Sequence, residues 1–305
     1  MALLVPRADG AAIPVPNNCM VGRDHHAWLR LDKNFVSSQH ARIRYRGGAW
    51  TVSDLSRNGT WVNGTKVPPR TPRTIVEGDT IAFGNPDLGF TFTNMDPPLP
   101  MAKHRQTLEI RVAHNGILAL PSEENARIVV FEDADGQWVG EVDGEPQPVQ
   151  DGDIAAGADV WMLRLPLPSI STHEMAKMPL TISTAHLRLS VSRDEEQVAI
   201  TALVGGQTLT LAPRVHYYLL LTLARERLSP EKAADKLPHE QGWIPVDTLC
   251  RMLAVDELNL NTQVFRIRGD FTSLGFVDGG TVIERRRGLR TLRLSTDRVS
   301  IVTSD

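Results

Sequence analysis

From Trp28 to Thr93 the chain alternates apolar and polar residues in short runs: WLRLD, HARIRYR, WTVSDL, TWVNGTKV, DTIAFG and GFTFT. The turn formers GG, RNG, NG, EGD and GNPD lie between them. Period-two runs bounded by such turns predict short strands, and this succession predicts a β-sandwich. No helical period competes before Asn94. The pattern continues through TLEIRV, GILAL, ARIVVFED, QWVGEV and VWMLRLP, with ADG and DG turns, and predicts a small middle β-domain. ARIVVFEDADGQWV echoes ARIRYRGGAWTV, and VQDGDIAAG echoes VEGDTIAFG. The middle segment is thus a plain β-meander, a degenerate repeat or an extension of the first sandwich.

Beyond residue 180 the period changes. HLRLSVS, QVAITALV and QTLTLA predict strands, the last two joined by a GG hairpin. Three helical patterns follow. PRVHYYLLLTLARERL has Pro213 in its first turn, and IPVDTLCRMLA has Pro245 and Asp247 at its start. NLNTQVFRIRGDFTSLG opens on a capping Asn and stops at Gly275, with Val264, Ile267, Phe271 and Leu274 spaced to share one inward face. TVIERRRGLRTLRLS predicts two strands around an RRGLR turn. Proline-rich stretches at 93–106 and 165–179 predict linkers, because proline donates no ladder hydrogen bond. The fold class expected is multidomain, β plus α+β, with domains at 1–95, 107–167 and 180–305.

The 305 residues suffice for two or three such cores, and 41% hydrophobic with 23% charged residues excludes a disordered or fibrous chain. Two cysteines, Cys19 and Cys250, make neither a disulfide framework nor a zinc site and suit a reducing compartment. MALLVPRADG is too short in its apolar run for a signal peptide, and the apolar stretch near Tyr217–Ala224 is too short for a membrane span. A cytoplasmic protein is expected. The net charge of −3 excludes a uniformly basic nucleic-acid coat. The charge is uneven: residues 1–100 carry a surplus of +3, residues 101–180 of −7 and residues 181–305 of +1. Separate modules with separate partners follow from that asymmetry.

Three blocks in the first segment fall at predicted strand ends: Gly22-Arg23, Ser37-Ser38-x-His40 and Ser56-Arg57-Asn58-Gly59-Thr60. They offer guanidinium forks, hydroxyls and an amide, with no base paired to a nucleophile and no paired carboxylates. Such a set suits holding an anion, phosphate above all. Segment 21–94, with GR, SxxH and NGT before WVNG, resembles a forkhead-associated (FHA) domain, the β-sandwich family that binds phosphothreonine peptides. The resemblance implies that Arg23 and Ser37 clasp the phosphate and that Asn58 holds the peptide main chain. Ser38, where the family often carries Arg or Asn, has one hydroxyl bond to give, and Arg57 adds positive charge. Gly22, His40, Gly59 and Thr60 are expected to shape the loops. A kinase-made phosphothreonine protein is the implied partner.

The order sheet, three helices, hairpin resembles the winged-helix output domains of response regulators. That resemblance places helix Asn259–Gly275 in a DNA major groove and Thr281–Leu294 as the wing. Arg266, Arg268, Arg285, Arg286, Arg287 and Arg290 are then the contacts to DNA or, on the alternative, to a protein partner. Asp270 and Glu284 interrupt the basic pattern. Two readings stay open: a phosphorylation-responsive DNA regulator, and a phospho-dependent adaptor whose last domain docks protein. No enzyme, cofactor or metal is expected: GxxxxGK[ST], HExxH and GxSxG are absent. The adjacent pair His25-His26 has no cysteine or carboxylate partner at ligand spacing in the sequence.

Overall fold

The structure, a computed structural model, describes residues 1–8, 10–167, 179–229 and 237–304. It divides into two compact units. The first holds Met1–Val112, Asp151–Ile154 and Trp161–Leu167; the second holds Ala113–Gln150, Ala155–Val160 and Pro168–Asp305. The expected middle domain at 107–167 is therefore not a body of its own: its residues are shared between the two units. The reason is strand pairing across the sequence. Met101–His104, inside the stretch read as a linker, is a strand that pairs with Ile110–Val112 and with residues 161–164. Its neighbouring prolines end at Pro100, and Met101 and Ala102 are fully buried. The second expected linker falls mostly on residues 168–178, outside the described residues.

In the first unit a five-stranded sheet, ordered Leu29–Arg30, Cys19–Gly22, Ala41–Arg46, Ala49–Asp54 and Arg73–Ile75, accompanies a six-stranded sheet. The six-stranded sheet contains Leu3–Pro6, Thr60–Val62, Thr80–Phe83 and Gly89–Thr93. Alternation decides which side chains go inward. Ala41 and Ile43 are buried while Arg44 and Arg46 are exposed, and Trp50, Val52 and Asp54 alternate with half-buried neighbours. Trp28, Trp50, Phe83 and Phe92 anchor the core. Truncating one such aromatic to Ala costs about 3–5 kcal/mol, so this core fixes the loops above it.

In the second unit, Leu118–Pro121, Ala126–Glu132, Trp138–Val142 and Glu145–Pro148 form an antiparallel sheet. A second sheet is ordered Gln207–Leu211, Val198–Val204, His186–Ser192 and Val299–Ser304, the last strand parallel to its neighbour. Helices Tyr217–Arg227, Val246–Leu253 and Glu257–Ser273 follow the expected order, and the hairpin Ile283–Arg286 with Thr291–Leu294 pairs with Ile244–Pro245. The long helix starts earlier than its sequence implied. Its N-cap is Asp256, whose side chain accepts from the Asn259 N–H at 2.7 Å. Val264, Ile267 and Phe271 are inward as expected, with Leu274 partly buried. Phe265 on another side enters a cluster with Ile117, Ala119, Val129 and Phe131. The long helix thus buries two faces.

Candidate functional site

The three blocks at the sandwich strand ends come together around the Ser37 backbone. The Arg23 N–H donates to the Ser37 carbonyl at 2.9 Å, and the Asp24 N–H donates to the Ser38 carbonyl at 3.1 Å. Gly22 makes that approach possible: a Cβ there would collide with the Ser38 carbonyl oxygen. His40 is buried and bridges two loops. Its Nδ1 accepts from the Ser37 N–H at 3.0 Å, and its Nε2 lies 3.0 Å from the Gly59 carbonyl. Accepting at Nδ1 and donating at Nε2 requires the neutral ring. Burial holds the His40 pKa below the ordinary imidazole value, which agrees.

The second loop is braced by Asp54. Its Oδ1 accepts from the Ser56 hydroxyl at 2.7 Å and the Thr60 hydroxyl at 2.9 Å, and Asp54 and Thr60 are both buried. Ser56 Oγ accepts from the Gly59 N–H at 2.7 Å. Gly59 turns at φ +106°, where a side chain would strike Lys66. This bracing delivers the Arg57 N–H to Ser37 Oγ at 3.3 Å. Because that hydroxyl oxygen accepts there, its proton points elsewhere and is available to an anion. The Asn58 side-chain amide donates to the Phe35 carbonyl at 2.8 Å. Arg23, Ser38, Arg57 and Asn58 are exposed and Ser37 is half-buried. Among the described residues, neither the Arg23 nor the Arg57 guanidinium has an ion-pair or hydrogen-bond partner. The backbones of Arg23 and Arg57 are thus both bonded to Ser37, and their cationic side chains with its hydroxyl are a set of donors suited to holding an anion.

Next to these donors, Asp24, His25 and His26 bring one ligand atom each within 4.8 Å of one another, a grouping the sequence reading did not anticipate. Adjacency alone does not bring three side chains together; here the Asp24 carboxylate accepts from the His26 N–H at 2.8 Å, which folds the turn back.

The arginines of the second unit are distributed differently from expectation. Arg268 is 1% exposed and donates from Nη2 to Glu141 Oε1 and to the Ile283 carbonyl, both at 2.7 Å. The Phe131 ring covers its guanidinium at 4.4 Å. Arg285 Nε reaches the other Glu141 oxygen at 3.0 Å, and Arg285 Nη2 donates to Asn261 Oδ1 at 2.6 Å. Burial alone would raise the Glu141 carboxyl, but the two guanidiniums outweigh it and hold it below its ordinary value. The adjoining void, near Val264 and Gly144, is about 10 Å³, room for one water at most. Arg286 stacks on Trp243 at 4.3 Å and donates to the His239 carbonyl, while Arg290 pairs with Glu257 at 2.7 Å. Arg266 and Arg287 are exposed and have no partner among the described residues. The expectation that Arg268 and Arg285 face a partner is corrected. They hold the long helix and hairpin to the sheet containing Trp138–Val142. The acid responsible, Glu141, carries no local signal of this role: it lies 127 residues before Arg268, within the acid-rich stretch.

The FHA domain family matches residues 19–84. FhaB, an FHA domain-containing protein of Mycolicibacterium smegmatis, is 35% identical over 69 residues, covering 19% of this chain and 44% of that protein. The chloroplastic zeaxanthin epoxidase of Prunus armeniaca is 33% identical over 85 residues, covering 24% of this chain and 13% of that protein. A solved structure described as a structural and functional analysis of phosphothreonine-dependent FHA domain interactions is 27% identical. It covers 30% of this chain and 95% of its own, with a TM-score of 0.27. The chain spans less than half the length of these curated relatives. Its N-terminal unit carries an FHA domain.

Proposed function

We propose that this protein is a phosphothreonine-dependent signalling adaptor. Its FHA domain captures a threonine phosphorylated by a Ser/Thr kinase, and its C-terminal unit docks protein. The observation that carries the first half is Arg23, whose backbone N–H is bonded to the Ser37 carbonyl and whose guanidinium has no partner among the described residues, with Ser37 Oγ held by the Arg57 N–H. A phosphothreonine brings a charge of about −1.5 to −2 and three acceptor oxygens. Arg23 meets two of those oxygens as a fork, Ser37 donates its hydroxyl proton to the third, and Arg57 adds charge. Asn58 holds the peptide main chain, and Ser38 contributes one exposed hydroxyl. His40, kept neutral, fixes the height of the Ser37 loop and takes no proton from the ligand. No catalytic step belongs to this reading, and the two free cysteines suit a cytoplasmic setting.

The second half follows from where the arginines go. A DNA-reading helix needs its basic side chains in the groove. Here Arg268 and Arg285 are buried and share one carboxylate, and Arg286 and Arg290 have intramolecular partners. Arg266 and Arg287 alone make a poor electrostatic footprint. Capture of phosphothreonine, phosphoserine and unphosphorylated peptide libraries by the full chain tests the first half. Enrichment of phosphothreonine peptides alone supports it; indifference to phosphorylation sinks it. A salt-dependent shift of random duplex DNA would restore the DNA reading in place of the protein-docking one.

A further inference from the structure

The outer face of the five-stranded sheet carries a feature that phosphate capture does not use. On strand Ala41–Arg46, Arg42, Arg44 and Arg46 occupy alternate positions and so point to the same side, away from buried Ala41 and Ile43. Pairing registers place Met20 beside Arg42 on one flank and Ser53, Thr51 and Ala49 beside Arg42, Arg44 and Arg46 on the other. None of these neighbours is acidic. Arg42 and Arg46 have no ion-pair or hydrogen-bond partner among the described residues, and Arg44 makes only a 3.3 Å bond to Asn18. The Arg42 Nε is buried without a hydrogen-bond acceptor among the described residues. Three aligned cations without an anion repel one another. An intramolecular role would have supplied a carboxylate, as Glu141 does for Arg268 and Arg285.

We infer that this arginine row docks an acidic, extended segment of the same phosphorylated protein whose phosphothreonine enters the clasp. The inference rests on the phosphothreonine reading. Two geometric facts select this occupant. Alternate side chains of a strand lie about 6.6–6.8 Å apart, the same repeat as carboxylates on one side of an extended peptide. The row also begins at Arg42, two residues beyond His40, and so starts at the clasp end of the strand. A chain reaches about 3.3 Å per residue, so acidic residues roughly three to eight positions from the phosphothreonine span it. Single-stranded nucleic acid fits less well. It binds through stacking on aromatic rings, and the outward positions named here carry none.

The test uses the full chain and four labelled peptides: a phosphothreonine peptide with a neutral tail, the same with a tail of alternating glutamates, and the unphosphorylated twin of each. The acidic tail is expected to tighten phosphopeptide binding about fivefold to tenfold at low salt, as two or three exposed ion pairs provide. In the double variant Arg44→Glu/Arg46→Glu that gain should vanish or reverse while the neutral phosphopeptide binds as before, with an unchanged circular dichroism spectrum. An acidic tail that helps both proteins equally, or neither, overturns the inference and leaves the clasp reading standing. Failure of both phosphopeptides to outbind their twins overturns the clasp reading, and the inference with it. Displacement of the acidic tail by oligo-dT at equal charge concentration would assign the row to nucleic acid instead.

Discussion

Glu141→Gln tests how the C-terminal unit holds its arginines. The substitution keeps the shape of the side chain and removes one negative charge. Glu141 stands between Arg268 Nη2 at 2.7 Å and Arg285 Nε at 3.0 Å, and the three side chains are 4%, 1% and 4% exposed. Removing one partner of a buried ion pair costs about 3–5 kcal/mol, because the remaining charge stays desolvated. Two guanidiniums lose the buried carboxylate they share, so the upper end, about 5 kcal/mol, is expected. At about 2–4 °C per kcal/mol for domains of this size class, the transition of the C-terminal unit should fall by about 10–20 °C in calorimetry. Phosphopeptide binding should be unaffected at temperatures below that transition. A triple change, Glu141→Leu/Arg268→Met/Arg285→Met, should recover most of the loss, since an apolar replacement leaves no buried charge. A drop of less than about 2 °C for Glu141→Gln, corresponding to under about 1 kcal/mol, would refute the buried-triad reasoning.

Three further outcomes are expected. His40 is held below its ordinary pKa, so the unfolded chain takes a proton near pH 6.5 where the folded one resists it. This group's contribution is therefore complete above about pH 6.5 and declines as pH falls below it; urea titrations from pH 7.5 to 5 should show the decline, and His40→Gln should flatten it. Gly22→Ala should destabilise the sandwich by about 1–3 kcal/mol through its collision with the Ser38 carbonyl, measured by chemical denaturation; a neutral result would mean the loop yields freely. Arg266→Ala and Arg287→Ala, both at exposed side chains, should each change stability by under about 0.5 kcal/mol. Any larger loss would mean that these side chains have partners within the folded chain.

The meeting of the three loops was legible in the sequence because each of them is a local turn. Gly22-Arg23, Ser37-x-x-His40 and Asn58-Gly59-Thr60 sit in strand-end loops whose geometry depends on nearby residues. The braces were less visible: Asp54 supports Thr60 and Ser56 through its side chain, but in the sequence it is simply the alternating inward residue of a strand. Helix periodicity found the first buried face of Glu257–Ser273. It missed the second, because Phe265 and Arg268 are buried by a sheet formed from residues over a hundred positions earlier. Strand Met101–His104 was hidden by the prolines before it and by Lys103, whose ammonium is inside, donating to the Trp28 carbonyl at 2.8 Å. The parallel pairing of Val299–Ser304 with His186–Ser192 leaves no local signal at all.

The central claim is that Arg23 and Ser37 form a phosphate clasp, and calorimetric titration of one phosphothreonine peptide into wild type and Arg23→Ala tests it most directly. The wild type should bind the phosphorylated peptide and ignore its unphosphorylated twin. Arg23→Ala should keep its circular dichroism spectrum, since the Arg23 side chain has no intramolecular partner among the described residues. It should lose at least about 2 kcal/mol of binding, roughly thirtyfold in affinity, because a charge-assisted fork disappears. Equal affinities for the two proteins, or equal binding of the phosphorylated and unphosphorylated peptides by the wild type, would contradict the account.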